Sequence, residues 1–452
     1  MKGRFVEVDR DTLYLLPPSV QEWLPEKHLA RFVVEIVEQI DLQPLRASYT
    51  GNGSQPYNPE MLVALLFYGY ATGVFSSRKL ERSTYDSVAF RYIAANTHPD
   101  HDTIASFRKR FLPELTRIFV EILGIAHEMK ILTLGKVSID GTKIKANASK
   151  HKALSYGHAC KVQAQLEAEV AELLKKAESV DKADIPDGMD IPAELSIRQK
   201  RVDAIKQAKI EIERRASQRK AEEQKKHDKK LEQRSRKERE TGRKARGKKP
   251  QPPKDGPTQK DQVNLNDLES RIMPVSGGGF EQAYNAQAGV DTETMLVVTA
   301  HVTQAPNDKR ELEPALTTLK HLPQRLGTVS DIIADSGYFS TENVRLCDEN
   351  NVSSYIAVDR EKHHPQLMES FQAPPPLSVN ANPVETMRHR LKTKSGKAVY
   401  AIRKSTIEPV FGIIKSVMGF RQFTLRGLES VKGEWNLVCI AYNLKKLYAL
   451  AK

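Results

Sequence analysis

The chain is 452 residues long, with 70 Lys and Arg against 57 Asp and Glu, a net charge of +13. That length accommodates two or three domains with full-sized cores, and the basic balance points to an anionic partner, nucleic acid before an acidic membrane surface. Cys160, Cys347 and Cys439 lie far apart and form neither a disulfide framework nor a zinc site, so a reducing compartment is expected. The N-terminus lacks the apolar core of a signal peptide, and the longest apolar run, 61–75, is too short to span a membrane. A soluble cytoplasmic protein with no membrane partner is expected.

Residues 1 to about 134 read as helical. Asn58-Pro59-Glu60 is a helix start: a capping side chain, a proline at the first helical position and an acid at the positive end of the dipole. Leu62, Leu65, Leu66 and Tyr70 follow at helical spacing. Ser76 and Ser77 open another helix. Asp102-Thr103 opens a third, with Ile104, Phe107 and Phe111 on one face and Arg108, Lys109 and Arg110 on the other. Short helices with basic tips fit either a helix-turn-helix-like DNA-binding domain or a plain bundle with solvated charges.

Lys136 to Asn147 has strand patterning. Val137 and Ile139 alternate with polar neighbours, Asp140 follows, Gly141 lets the backbone turn, and Lys143 and Lys145 share one face. Alone, this pattern fits either an acid at a phosphodiester-cutting site or any charged strand end. From about 160 to 245 strand patterning disappears. Leu166, Val170, Leu173 and Leu174 mark one helix, Pro186, Asp187-Gly188 and Pro192 a turn, and Ile197, Val202, Ile205 and Ile212 the stripe of a longer second helix. Together they predict a coiled-coil-like helical hairpin. Residues 198–254 hold 23 Lys/Arg and 9 Asp/Glu, so 23 − 9 gives +14 of the chain's +13 and leaves about −1 elsewhere. The basic character is local. Its helical part suits phosphate-backbone contact, and 240–262 reads as a solvated linker.

Folded patterning returns at Arg271. Glu281–Val290 and Met295–Val302 read as strands around a turn at Asp291–Thr294, Glu311–Leu322 as a helix, and Ser330–Ala334 as a strand ending at Asp335. A capped helix follows from Ser340, then a strand at Ser354–Val358, a proline-rich basic loop over 360–398, and a helix from Ile402 to about Val417 bearing Glu408 and Lys415. The last helix, about 429–447, is amphipathic through Leu437, Ile440, Tyr442, Leu444 and Leu447. In this α/β order, Asp140 and Asp335 at strand ends and Glu408 on a late helix can converge at the carboxyl edge of a mixed sheet. Such a set would hold two Mg²⁺ ions for in-line displacement at phosphorus. Asp291 and Glu293 read as turn residues, Asp331 as solvated, and His363 and His364 as polar-loop residues without a metal role. Gly277-Gly278-Gly279 is not followed by a helix and reads as no nucleotide cradle.

Ser138-Ile-Asp140-Gly-Thr, Ile333-Ala-Asp335-Ser-Gly-Tyr338 and Ile407-Glu408-Pro-Val-Phe-Gly-Ile-Ile-Lys415 resemble the Asp-Asp-Glu triad of bacterial insertion-sequence transposases. Arg271-Ile-Met-Pro274, Gly279-Phe-Glu-Gln-Ala-Tyr-Asn-Ala-Gln287 and the region from Asn58 to Phe107 extend the resemblance over nearly the whole chain outside 160–260, with insertion-sequence family 1182 as the nearest branch. The resemblance implies an α/β, RNase H-like mixed-sheet catalytic core (135–150 and 271–428). The basic helical hairpin (151–270) is inserted in it, an all-α DNA-binding domain (1–134) precedes it and a C-terminal helix (429–452) follows. It implies a nucleoid-associated DDE transposase using two Mg²⁺ ions, with Mn²⁺ as a substitute. Its partners would be double-stranded DNA, as terminal inverted repeats and target, and a second copy in a synaptic homodimer. Asp140, Asp335 and Glu408 would be the catalytic metal ligands. Lys143, Lys145, Tyr400, Arg403, Lys415, Arg108, Lys109 and Arg110 would contact DNA.

Tyr400, Arg403, Glu408 and Lys415 stand in the order of the family's last-helix signature, but the Arg-to-Glu gap is five rather than four. Glu408 and Lys415 are expected two turns apart on one helix face. Between Asp335 and Glu408 only a loop, without tryptophan, stands where some relatives insert a β-rich subdomain, so a hairpin-forming cleavage route is not expected. Two other readings stay open: a resolvase-like nuclease without strand transfer, and an inactive, domesticated DNA-binding protein.

Overall fold

A computed structural model describes residues 19–47, 49, 56–178, 190–243, 247–275, 278–359, 374, 376–377 and 381–452. The expected turn at Asp187-Gly188, and Gly277, His363 and His364, fall outside the described residues. Strands, in chain order, are β1 (Leu134–Lys145), β2 (Ala153–Ser155), β3 (Gln262–Asn264), β4 (Arg271–Pro274), β5 (Phe280–Asp291), β6 (Val297–Thr303), β7 (Gly327–Ala334) and β8 (Ser353–Ile356). The chain divides into two compact units. The first is Met1–Thr142, Asn285–Thr424 and Glu429–Lys452; the second is Lys143–Tyr284 and Leu425–Leu428.

The first unit is a mixed α/β structure. Its sheet runs β6-β5-β1-β7-β8, with β5–β6 antiparallel and both β1–β7 and β7–β8 parallel. Parallel pairing needs crossovers; the helices Leu312–His321 and Thr341–Glu349 lie in the β6–β7 and β7–β8 connections. The order is compatible with an RNase H-like core. From Gln282 to Asp291, β5 is buried at every position, as a covered central strand should be. Asp331 lies within β7, which begins at Gly327. Asp291 is a turn residue: its Oδ2 accepts from Thr294 N (2.8 Å) and Oγ1 (2.7 Å).

The C-terminal helix, Leu428–Leu450, is more deeply placed than its apolar stripe predicts. It is buried almost all round from Val431 to Leu444, as a helix crossing the core must be. Trp435 Nε1 donates to Gln287 O (2.9 Å), and the Asn443 amide pairs with both Val297 N and O at 2.8 Å. On another side its fully buried Glu434 accepts from Tyr70 Oη (3.0 Å), on the helix Pro59–Ala71, and from Thr424 N (2.9 Å). Arg108 belongs to this network. It is 8% exposed and donates through Nη1 to Tyr70 Oη (3.1 Å) and Phe75 O (3.0 Å). This corrects the expectation of a DNA contact: its guanidinium is committed to the interior.

The 360–398 region is not all loop. Helices occupy Pro383–Lys392 and Lys394–Gly412. Asn382 and Glu385 form a capping box and Thr393 caps the second helix, a start signal as clear as that at Asn58.

In the second unit, helices Tyr156–Glu178 and Ile191–Thr241 pack as a hairpin around Leu166, Val202, Ile205, Ala208 and Ile212. Ile197, expected in the stripe, is 52% exposed. Ordered structure resumes before Arg271, since β3 pairs antiparallel with β2, and β4 pairs with β5 over Phe280–Ala283. The described part of 247–261 is not a free linker but runs back along the long helix. Arg219 meets Asp261 (2.8 Å), Lys220 meets Asp255 (2.8 Å) and Arg234 Nη2 meets Gly247 O (3.1 Å). No helix among the described residues is long and apolar enough to cross a membrane.

The fully buried Glu434 accepts from Tyr70 Oη, itself held by Arg108, and from Thr424 N. Glu434→Ala should lower stability by roughly 3 kcal/mol or more, measured by denaturant unfolding, because it strands Tyr70 Oη and leaves the Arg108 charge poorly compensated. A loss under about 1 kcal/mol would contradict this role.

Candidate active site

Ile139 of β1 and Ala334 of β7 are register partners on parallel neighbours, so Asp140 and Asp335, one residue on, stand at the same level. Asp335 follows the end of β7, but β1 runs on past Asp140 to Lys145, which corrects the expectation of a strand end and a backbone turn at Gly141. Each carboxylate is oriented by a backbone N–H just after it. Gly141 N donates to Asp140 Oδ1 and Gly337 N to Asp335 Oδ1, both at 2.8 Å. The Asp140 side chain is only 19% exposed. Burial first, and then the negative charge of Asp335, push its carboxyl up to about 7.

Arg403 partly offsets that charge. Its Nη1 lies 3.1 Å from Asp140 Oδ2 and its Nη2 2.9 Å from Glu408 Oε1, so one guanidinium ties the first acid to the third. It is 14% exposed, and its Nε is buried without a hydrogen-bond partner. Glu408 stands on the helix Lys394–Gly412, which continues as a π turn over Ile413–Val417. The wider turn changes the expected two-turn relation of Glu408 to Lys415. Lys415 instead reaches β1, donating to the Oγ1 of Thr142, two residues beyond Asp140. Tyr400 lines a cavity of about 370 Å³ with Arg388, Lys392, Lys397 and Lys404.

The other expected DNA contacts are dispersed. Lys109 and Arg110 are exposed at the end of the helix His101–Phe111, with Arg110 over the Tyr49 ring at 4.8 Å. Lys143 and Lys145 fall in the second unit, where Lys145 meets Glu281 at 3.4 Å. Four residues whose roles sequence reasoning left unassigned also converge behind the acids: Asn285, Gln287, Asp308 and Tyr338. Asn285 Nδ2 and Gln287 Nε2 donate to Asp308 Oδ1 at 2.7 and 2.6 Å, and Tyr338 Oη donates to Gln287 Oε1. A usable signal was present, since Asn285 and Gln287 put two amides on one face of a strand, alternating with Ala286 and Ala288.

An all-oxygen donor set suits a hard divalent cation, and a buried carboxylate beside a like charge asks for positive charge. The residues therefore fit such an ion in type. As they stand, no three His, Cys, Asp or Glu side chains among the described residues are close enough together to hold one. Arg403 supplies the positive charge.

A mixed sheet with one acid within β1, a second just past the parallel neighbour β7 and a third on a late helix is compatible with an RNase H-like core. Two family models match the chain: the Transposase DDE domain over residues 267–444, which contains Asp335 and Glu408, and the Transposase domain DUF772 over residues 18–110. The chain is an insertion-sequence DDE transposase, of a family that generally uses divalent metals. The matches do not single out insertion-sequence family 1182. No curated protein and no solved structure matches the chain.

Because the folded Asp140 holds its proton more tightly than an unfolded aspartate, the folded state binds the extra proton between about pH 4 and 7, and stability falls as pH rises through that window. In chelator, Asp140→Asn should therefore melt above the wild type at about pH 8, with the gain vanishing toward pH 4. Scanning calorimetry checks this; a pH-independent difference would remove the electrostatic account.

Proposed function

We propose that this transposase cuts the ends of its insertion sequence and joins the freed 3′-hydroxyls to target DNA, with Asp140, Asp335 and Glu408 as the catalytic acids. The observation that carries the proposal is the pairing of Asp140 and Asp335 at one level of two parallel strands, with Glu408 tied to Asp140 through a single guanidinium. Two Mg²⁺ ions, or Mn²⁺ in their place, would activate the attacking oxygen and stabilise the leaving one. The chain's own contribution is to hold three acids at one edge and to surround them with cations. Arg403 neutralises Asp140 and Glu408 before loading and is then available to a DNA phosphate. Lys415 and Tyr400, on the same helical segment, are phosphate contacts in this reading.

Binding affinity comes from elsewhere in this proposal. The long helix Ile191–Thr241 presents Lys225, Lys226, Lys229 and Lys230, all exposed, as contacts to the DNA backbone. Lys109 and Arg110 are candidate contacts in the N-terminal helices, which would read the terminal repeat. Joining two ends calls for a dimer.

Asp335→Asn and Glu408→Gln should each reduce cleavage of a transposon-end duplex to below about one-thousandth of wild type while leaving DNA affinity within a few-fold. Normal cleavage by either variant would remove that residue from the site. Changing Lys225, Lys226, Lys229 and Lys230 together to Gln should weaken DNA binding and flatten the plot of log affinity against log salt by about 0.9 for each phosphate no longer neutralised. An unchanged slope would make this helix a spacer. A wild-type enzyme that cuts ends but never joins them to a target would place it among nucleases instead.

A further inference from the structure

The register of β1 and β7 sets the level at which Asp140 and Asp335 stand, but not the separation of their carboxylates. Asp140 lies within β1 and accepts from Gly141 N, while Asp335 follows β7 and accepts from Gly337 N in the turn after it. Two like charges held there repel, so something must brace the β1 backbone at Gly141 against the turn after Asp335. The sheet offers one side chain that meets both. Gln287, fully buried on β5, accepts at Oε1 from Tyr338 Oη, the last residue of the turn Ser336–Tyr338 that follows Asp335. Its Nε2 packs against Gly141, the residue after Asp140: a Cβ there would collide with Gln287 Nε2, Asp308 Oδ1 and Asn285 Oδ1.

The amide cannot turn over. Nε2 donates to Asp308 Oδ1 (2.6 Å) and Asn285 Oδ1 (3.0 Å), both of which only accept there, while Oε1 faces a hydroxyl donor. Asp308 Oδ1 takes a second charge-assisted bond from Asn285 Nδ2 (2.7 Å), which also donates to Ala305 O (3.1 Å). The Gln287 backbone is pinned from behind by Trp435 Nε1 (2.9 Å).

We infer that Gln287, locked by Asp308 and Asn285, is a positioning residue that braces the β1 backbone beside Asp140 against the turn after Asp335 and so fixes the spacing of the two acids. This inference rests on the cation-holding role proposed for those acids. Gln287 touches no reacting atom and acts through the backbone of Gly141 and the hydroxyl of Tyr338.

The test is Mn²⁺ binding to the full chain without DNA, by calorimetry, for wild type, Gln287→Met, Tyr338→Phe and Asp140→Asn, with thermal midpoints measured in chelator. Gln287→Met keeps the side-chain volume and removes the amide; Tyr338→Phe removes one oxygen. Each should weaken Mn²⁺ binding by about 10- to 100-fold, as loss of a group that orients a metal ligand does, beyond any change in thermal midpoint. If both variants fold and bind within about twofold of wild type while Asp140→Asn loses binding, the brace is overturned and the acids' role stands. If Asp140→Asn also binds like wild type, the acids' role falls and the inference with it. Should Gln287→Met fail to fold, Tyr338→Phe decides alone.

Discussion

Two carboxylates forced to one edge of a sheet set the terms for the rest of this structure. Parallel pairing of β1 with β7 brings Asp140 and Asp335 level, burial denies Asp140 the water that would screen it, and the charge must be answered from the protein. Arg403 answers it now, reaching Asp140 and Glu408 with the two arms of one guanidinium. Its buried, unpartnered Nε marks the arrangement as incomplete. In the inference drawn above, the amide of Gln287 braces the β1 backbone at Gly141 against the turn after Asp335 and holds the pair against its own repulsion.

The second constraint is the division of charge. The acids belong to the first unit, while the stretch 198–254 carries the whole net positive charge of the chain. In the proposed function, affinity for a polyanion and chemistry upon it fall to different segments. Within the second unit many cations of the long helix are paired with Asp255, Asp261 and backbone carbonyls of the returning chain, which lowers the number available to DNA below the bare count.

Much of the site was legible in the sequence because its signals are local. An acid after strand patterning, with glycine next at Gly141 or one residue further at Gly337, marks Asp140 and Asp335, and the capping residues announce the helix starts at Asn58 and Ser340. Features that depend on distant segments were not legible. Arg108 reads as one of three basic residues on a helix face. Only the arrival of Tyr70, Phe75 and Glu434 from elsewhere in the chain makes it an interior residue. Asp308 sits in a polar loop and gains meaning from Asn285 and Gln287, over 20 residues away. The five-residue gap between Arg403 and Glu408 departs from the family's spacing, yet one side chain spans it. The last helix looks amphipathic from its apolar stripe alone, because nothing local marks its second buried face. The prolines around residue 375 hide the capping box at Asn382.

The central claim is that Asp140, Asp335 and Glu408 hold the cations of the reaction and that Arg403 yields its place to them. A crystal structure grown with Mn²⁺ tests this most directly, because anomalous scattering locates the ion independently of any assay. The account predicts Mn²⁺ density against Asp140 and Asp335, with the Arg403 guanidinium moved away from Asp140. Density absent at saturating Mn²⁺, with Arg403 still bridging Asp140 and Glu408, would contradict it.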